Sequence, residues 1–294
     1  MLDRERDQAW VSAHVFTGHP LDLVVRGLLP AVLDDLRPRG LADRFFFIRH
    51  WQFGPHLRLR VRATAPDAEP RIRAALDAHT TAFFADLPST PAMTEHQYAE
   101  LAARFGPMEP GTQAGTLASN DSLAFIRYQP ENTKYGHGAA LRAAEECFAT
   151  CSELALAAAT AQWTPAQRLA HCFALLAATP GPSGGSPAIP LSGTAVEQYR
   201  RSRATLLPVA RSARAALAEE PPGGPGDDPA ARWFASFRRA RDLAADPALL
   251  HGQLTHLACN RLGVRLEQEA TLRQLAALAV HELTGGPEAE VGLQ

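Results

Sequence analysis

The sequence has few of the features that mark secreted, membrane-spanning or nucleic-acid-binding chains. Its 294 residues include 4 cysteines, too few for a disulfide framework at this length. No apolar run approaches the length that spans a bilayer, and the N-terminal MLDRERDQAWVS lacks the apolar core of a signal peptide. The 29 Lys and Arg residues balance 31 Asp and Glu residues, without the basic excess usual in nucleic-acid binders. We therefore expect a reduced, cytoplasmic protein that contacts neither membranes nor nucleic acids directly.

Three common site motifs are also missing. No glycine-rich loop joins a strand to a helix, as a phosphate cradle requires. No Gly-x-Ser-x-Gly elbow of a serine hydrolase occurs. Cys147 and Cys151 are four residues apart, and His171 and Cys172 follow, but the repeated C-x-x-C pairs typical of zinc sites are absent. The sequence predicts no metal and no cofactor.

The first half of the chain alternates between strand and helix patterns. Alternating hydrophobicity predicts strands over 10–17, 44–51, 56–63 and 122–130. Apolar residues at helical spacing predict helices over 20–36, 67–87 and, as an extra short helix, about 94–105. Without that extra helix the order is strand, helix, strand, strand, helix, strand, which is the split βαβ (ferredoxin-like) arrangement. We predict an antiparallel sheet with helices on one face.

The second half reads as helices throughout. They are predicted over 137–161, 164–178, 193–218, 229–244, 246–262 and 265–284. Two Pro/Gly/Ser-rich stretches, 179–193 and 219–229, predict flexible loops. The expected fold class is α+β, with a sheet region over 1–135 and a helical bundle over 136–294 that together form one compact functional unit.

The strand HLRLRVRA, residues 56–63, separates apolar from cationic side chains. Because strand side chains alternate, Leu57, Leu59 and Val61 share one face. The opposite face carries His56, Arg58, Arg60 and Arg62. Neighbouring like charges repel unless acids or an anionic ligand lie opposite, and arginine grips carboxylates with two donors. The alternative is a purely structural role, in which the face is exposed and the aliphatic parts of the arginine side chains cover apolar surface.

Neighbouring predicted strands add polar groups to this cationic face rather than acids. The first strand would contribute Ser12 and His14, and the fourth would contribute Arg127 and Gln129. We predict that the face holds an anion, either a carboxylate or a polar peptide. His14 and Arg127 are therefore candidate substrate-binding residues.

Two further stretches carry candidate residues. In RYQPENTKYGHG, residues 127–138, a loop places Glu131, Lys134 and Tyr135 between a strand and a helix, where functional residues concentrate. A solvated turn with a local ion pair is the alternative. In LLHGQLTHLACNRLGV, residues 249–264, His256 lies on a helix stripe with Gln253 and Asn260. It is either a core histidine or a general acid and base.

These stretches together resemble the C-terminal elimination domain of lantibiotic dehydratases, also called the thiopeptide-type bacteriocin biosynthesis domain. The resemblance runs from Trp10 to about His281. It implies a lyase that acts on a ribosomally made precursor peptide, removing glutamate from glutamylated Ser or Thr to leave dehydroamino acids. A second branch, the thiopeptide pyridine synthases, implies a formal [4+2] cycloaddition of two dehydroalanines with loss of water and leader peptide. A non-catalytic leader-binding partner is a further alternative, disfavoured because His256 and both arginines are present.

The resemblance also implies residue roles. Arg58 and Arg60 match the arginines that handle glutamate, Glu131 matches the loop glutamate, and His256 matches the catalytic histidine. Lys134 stands where the family usually has Arg, and His137 replaces a glycine. We expect Arg58, Arg60 and His256 to be catalytic and Glu131, Lys134, Tyr135, His14 and Arg127 to bind substrate. The implied partners are a precursor peptide with its leader and a separate tRNA-dependent glutamylating protein; a homodimer is left open.

Overall fold

A computed structural model describes residues 10–106, 115–178, 191–218, 226 and 228–285. The chain divides into two compact units, 1–130 and 131–294. Most of both predicted loops, 179–193 and 219–229, lies outside the described residues. No helix in the described ranges has the length and hydrophobicity that a bilayer crossing needs.

Unit 1 is built on a four-stranded antiparallel sheet in the order β2-β3-β1-β4. The strands are β1 (Trp10–Phe16), β2 (Ala42–His50), β3 (His56–Ala63) and β4 (Ser122–Phe125). The helices are α1 (Leu21–Leu36), α2 (Glu69–Asp86) and α3 (Glu95–Phe105). This order and pairing confirm the predicted split βαβ arrangement and, with the helices of unit 2, the α+β class.

The apolar face of the sheet forms the core of unit 1. Leu57, Leu59 and Val61 of β3 are at most 1% exposed, as the alternating pattern predicts. Helices α1 and α2 pack against each other and contact strands of the sheet. The buried side of α1 follows helical spacing through Val24, Val25, Leu28, Leu29, Val32, Leu33 and Leu36. These helices leave the cationic side of β3 on the opposite face.

A tight turn joins β2 to β3, at the predicted QFGP signal. The Gly54 amide donates to the Trp51 carbonyl at 2.9 Å. Both Phe53, with φ 64°, and Gly54, with φ 107°, have left-handed backbone conformations. Glycine adopts such a φ without steric cost, whereas a side chain resists it. The turn sets the register that pairs His50 with His56.

A cluster of hydrogen bonds around Asp121 joins the loops at one end of the sheet, and we call it the Asp121 cluster. One carboxylate oxygen of Asp121 accepts from the hydroxyls of Thr17 (2.8 Å) and Ser89 (2.6 Å), and the other accepts from the Ser89 amide at 2.6 Å. The Ser89 hydroxyl also accepts from the Gly18 amide at 3.0 Å. A Cβ at Gly18 would lie 1.8 Å from the Thr90 carbonyl oxygen, so the two loops approach closely. Three segments distant in sequence are thereby joined.

Unit 2 is helical throughout its described residues. Its helices are α4 (Asn132–Tyr135), α5 (Ala139–Thr160), α6 (Pro165–Ala178), α7 (Gly193–Ala218), α8 (Pro229–Asp242), α9 (Pro247–Arg261) and α10 (Leu266–Leu283). Helix α5 packs on α8, and α6, α7 and α10 pack on one another. Helix α9 contacts α5, α6 and α8. The predicted helical bundle is confirmed.

Two boundaries differ from the sequence prediction. The fourth strand ends at Phe125 rather than at residue 130, although the Ile126 amide still donates to the Ser12 carbonyl at 3.1 Å. It is an edge strand, and Pro130 cannot donate a ladder hydrogen bond. The predicted helix over 137–161 begins at Ala139, and the short helix α4 precedes it. Gly136 and Gly138, with φ 77° and 58°, separate the two helices.

Candidate functional site

We use the name cationic face for the side of the unit 1 sheet that carries Arg58, Arg60 and Arg62. Residues directly opposite in an antiparallel pair share a face. Arg58 lies opposite His14, and Arg60 lies opposite Ser12. On the other side of β3, Arg60 lies opposite Phe46. The prediction that β1 adds Ser12 and His14 to this face is confirmed.

The three arginines have different surroundings. Arg62 forms a two-donor ion pair with Asp43, in which Nε lies 2.9 Å from Oδ1. Arg58 donates from Nη2 to the Gln52 side-chain oxygen at 3.0 Å and from Nε to His56 at 3.2 Å. Asp43 is an acid that the sequence analysis missed, and it neutralises one end of the row. A guanidinium is always charged in proteins, so Arg58 places a positive charge on the face.

Aromatic rings surround the guanidinium of Arg60. Its central carbon lies 6.0 Å from the Phe46 ring centroid and 5.9 Å from that of Tyr128. Trp10 packs edge-on to Phe46, with 4.6 Å between ring centroids, and lies 6.3 Å from Tyr128. Rings at this distance attract a cation electrostatically. They hold Arg60 in one place on the face.

Arg127 does not join this face, contrary to the prediction. Ala124 lies opposite His14, so the even-numbered side chains of β4 point to the cationic face. Arg127 is odd-numbered, so it does not continue the row of even-numbered residues. It also lies beyond the end of β4 and is exposed. Tyr128, which the sequence analysis missed, takes the place expected for Arg127. The strand period would have indicated Tyr128 if the register with β1 had been known.

Two histidines on the cationic face are neutral. Burial first, and then the nearby Arg60 charge, lower the pKa of His14 to about 2. Burial is also the main cause that lowers the pKa of His56 to about 3. His56 donates from Nδ1 to the Gly54 carbonyl at 2.9 Å, which leaves Nε2 to accept from Arg58. The rings of His14 and His56 stack with 4.9 Å between centroids.

Two buried polar atoms that β1 places on this face have no hydrogen-bond partner within the described residues. They are the Ser12 hydroxyl oxygen and Nδ1 of His14, in residues 2% and 6% exposed. Such atoms are costly unless something bonds to them. Together with the adjacent arginines they make the face suited to a polar, anionic ligand.

In unit 2, the loop residues Glu131 and Lys134 form an ion pair. The Lys134 nitrogen lies 2.5 Å from a Glu131 carboxylate oxygen, and both side chains are about half exposed. Tyr135 is buried, with its ring 4.9 Å from that of Phe148, and burial raises its pKa well above the usual value. The local ion pair that the sequence left as an alternative is therefore present.

His256 on α9 is hydrogen-bonded to the buried carboxylate of Glu269 on α10, and we call this pair the histidine dyad. Its Nδ1 lies 2.8 Å from Oε2 of Glu269, and its side chain is 40% exposed whereas that of Glu269 is 6% exposed. The other Glu269 oxygen accepts from Nε and Nη2 of Arg273 at 2.9 and 2.6 Å. Burial raises the pKa of Glu269, but the hydrogen bonds and charges of His256 and Arg273 outweigh it, so the pKa is lowered and the carboxylate is ionised.

The exposure of His256 excludes the interpretation of a fully buried core histidine. The arrangement is chemically that of a histidine oriented by a carboxylate, which suits general acid–base work. Glu269 was missed by the sequence analysis. A signal existed, because a turn with Gly263 at φ 76° joins α9 to α10 and brings the first turn of α10 back towards α9.

The four cysteines are buried and reduced. They are Cys147, Cys151, Cys172 and Cys259. Burial raises the pKa of Cys147 to about 12 and that of Cys151 to about 11. Within the described residues, no group of three or more His, Cys, Asp or Glu side chains is arranged to bind a metal. These thiols are inert structural residues rather than nucleophiles.

The chain has an α+β fold, with a cationic face on the sheet of unit 1 and a histidine dyad in the helices of unit 2. The model of the family "Lantibiotic biosynthesis dehydratase C-term" matches residues 10–280, and the chain belongs to that family. The resemblance seen in the sequence is confirmed. A search of curated proteins finds no match.

Three of the solved structures that share the fold illustrate the similarity. The pyridine synthase TbtD from thiomuracin biosynthesis is 19% identical with a TM-score of 0.71, over 94% of this chain and 99% of that one. The tRNA-dependent lantibiotic dehydratase MibB from Microbispora sp. 107891 is 20% identical with a TM-score of 0.55, over 94% of this chain and 28% of that one. TsrL is 18% identical with a TM-score of 0.55, over 93% of this chain and 94% of that one.

Proposed function

We propose that this chain is an elimination lyase of peptide-antibiotic biosynthesis, which removes glutamate from glutamylated Ser or Thr of a precursor peptide. The observation that carries the proposal is the cationic face. There Arg58 donates hydrogen bonds to Gln52 and His56, and the guanidinium of Arg60 lies beside the aromatic rings of Phe46 and Tyr128. Two guanidinium groups at successive positions of one face suit the two carboxylates of a departing glutamate.

The reaction needs a base and a stabilised leaving group. The base takes the α-proton of the glutamylated residue, and that electron pair forms the double bond between Cα and Cβ. The bond from Cβ to the ester oxygen breaks, and glutamate leaves as a carboxylate, a far better leaving group than hydroxide. We assign the proton transfer to His256, and we assign the departing glutamate to Arg58 and Arg60. Negative charge develops on the carbonyl oxygen of the reacting residue as its α-proton leaves. Cations or hydrogen-bond donors near that oxygen lower the barrier further.

Lys134 has a supporting role in this proposal. Its ion pair with Glu131 is about half exposed, and such pairs contribute only about 0–1 kcal/mol. A substrate carboxylate can therefore replace Glu131 as the partner of Lys134 at little cost. Tyr135 shapes the loop from its buried position against Phe148. His14 offers a neutral ring nitrogen to the substrate.

The pyridine synthase reaction is the second candidate. It is favoured by the match to TbtD, which covers 99% of that chain at a TM-score of 0.71. In this version the cationic face would hold peptide carbonyl groups rather than a free glutamate, and His256 would move protons during loss of water. No glutamate-binding function would then be required of Lys134, in keeping with the replacement of Arg at that position.

The two candidates are separated by supplying the purified protein with two substrates. One is a glutamyl-Ser precursor peptide, and the other is a linear, azole-bearing precursor with two dehydroalanines. Release of free glutamate with a dehydroalanine product from the first supports elimination. A macrocycle with loss of leader from the second, and no glutamate from the first, refutes elimination in favour of cyclisation. Binding of both peptides with no product from either would indicate a non-catalytic partner.

A further inference from the structure

The carboxylate beside His256 is held more firmly than a surface ion pair would be. Glu269 is 4% exposed as a residue, and both of its oxygens are engaged. Arg273 holds one oxygen with two donors and also donates to the Gly252 carbonyl at 3.3 Å and the Thr255 hydroxyl at 3.2 Å. Gly252 and Thr255 belong to α9, the helix that carries His256. The carboxylate is thus fixed relative to the imidazole from two sides.

This geometry decides which ring nitrogen of His256 carries the proton. An ionised carboxylate accepts hydrogen bonds and cannot donate one, so the nitrogen 2.8 Å from it must be protonated. In the neutral imidazole the proton therefore resides on Nδ1, and the lone pair resides on Nε2. The 40% exposure of the side chain leaves the rest of the ring accessible.

We infer that Glu269 is the positioning residue of His256, which holds the Nδ1–H tautomer so that Nε2 is the nitrogen that accepts the substrate proton. Arg273 completes the arrangement by balancing the negative charge and anchoring Glu269 to α9. When Nε2 gains a proton, the resulting imidazolium is stabilised by the adjacent carboxylate. The inference rests on the proposed function in one respect only, the use of Nε2 as a base.

The tautomer is measured without any substrate. In the ¹⁵N-labelled protein, His256 is assigned by comparison with His256→Gln. Long-range ¹H–¹⁵N correlations of its neutral ring then report which nitrogen is protonated. We expect the Nδ1–H tautomer in the wild type. Finding Nε2–H as the main neutral form in the wild type would overturn the inference outright, and this outcome needs no folded variant.

Substitution then tests the cause. Glu269→Gln replaces the carboxylate with an amide that can donate as well as accept, so Nε2–H should become populated. We expect turnover on the glutamyl-Ser precursor to fall about 10²- to 10⁴-fold in kcat, with KM nearly unchanged. Glu269→Asp should partly restore both the tautomer and kcat. Glu267→Gln, at an exposed position on the same helix, is the matched control and should behave as wild type.

The outcomes separate this inference from the proposed function. A tautomer shift in Glu269→Gln, in a protein that releases no glutamate even as wild type, upholds the positioning role and refutes elimination. Normal glutamate release with an unchanged tautomer and unchanged kcat in Glu269→Gln refutes the positioning role and upholds elimination. Should Glu269→Gln fail to fold by circular dichroism, the wild-type tautomer and the Glu269→Asp variant decide the question.

Discussion

His256 is the residue whose removal should be most damaging to turnover and least damaging to the fold. Its side chain is 40% exposed, so truncation leaves no large cavity in the core. We expect His256→Ala to lower kcat by about 10²- to 10⁴-fold, the usual contribution of a positioned acid or base. Glutamate release from the glutamyl-Ser precursor measures the loss, and circular dichroism checks the fold. A folded variant with near wild-type turnover would show that His256 is not the base.

The arginine row provides its own control. Arg58 and Arg60 should each contribute charge-assisted hydrogen bonds of about 1.5–3 kcal/mol to the departing glutamate, so either alanine variant should lose about tenfold or more in turnover. Arg62 lies on the same face but is occupied by Asp43, and Arg62→Ala should retain near wild-type activity. Mass spectrometry of the precursor should show retained glutamyl adducts with Arg58→Ala and not with Arg62→Ala. Equal behaviour of the two variants would contradict the assignment.

Single residues show where sequence reasoning stops. The arginine row could be predicted from the alternation of side chains in one strand. His14 could be predicted from the same alternation in the first strand. Tyr128 and Asp43 could not, because their places depend on the register of β4 with β1 and on the ion pair across β2 and β3. Glu269 lies thirteen positions after His256, on the next helix, and the turn between α9 and α10 brings them together.

At the scale of the sheet, the neutral histidines predict a loss of stability in mild acid. His14 and His56 have folded pKa values of about 2 and about 3, below the value of 6.5 for an exposed histidine. At pH values between the folded and unfolded pKa values, these two histidines bind a proton only in the unfolded chain. The free energy of unfolding therefore has its full value above about pH 6.5 and falls as the pH drops below it. Each group contributes at most about 1.4 kcal/mol per pH unit.

Urea denaturation near pH 7 and near pH 5 measures this loss. His14→Gln removes one of the titrating groups and should flatten the fall in unfolding free energy between the two conditions. His96→Gln is the matched control, because the His96 side chain is 83% exposed, and it should leave the pH dependence unchanged. The same steep fall in all three proteins would mean that His14 does not contribute.

The elements themselves were largely predictable. Apolar residues at helical spacing located every long helix of the described chain to within a few residues, since burial of one face dictates that spacing. The end of β4 was not predictable, because the strand-like pattern of the sequence continues past Phe125 whereas the pairing of β4 with β1 stops there. The helix α4 was missed because four residues are too few to show a period.

At the scale of the whole molecule, the buried cysteines report on global unfolding. All four thiols are buried and at least two have strongly raised pKa values, so thiolate formation is suppressed in the folded chain. We expect negligible reaction with a thiol reagent under native conditions and labelling of all four cysteines once urea unfolds the chain. Mass spectrometry of the labelled protein counts the modified thiols. Rapid native labelling of a single cysteine would reveal local opening around it.

The Asp121 cluster affects how fast nearby backbone amide hydrogens exchange with solvent. Loop amides usually exchange quickly, since water reaches them directly. The amides of Ser89 and Gly18 lie outside the helices and strands, yet the first is bonded to the Asp121 carboxylate and the second to the Ser89 hydroxyl. Each of these amides exchanges only when two distant segments separate, so we expect hydrogen-exchange mass spectrometry to show slower exchange at Gly18 and Ser89 than at other loop amides.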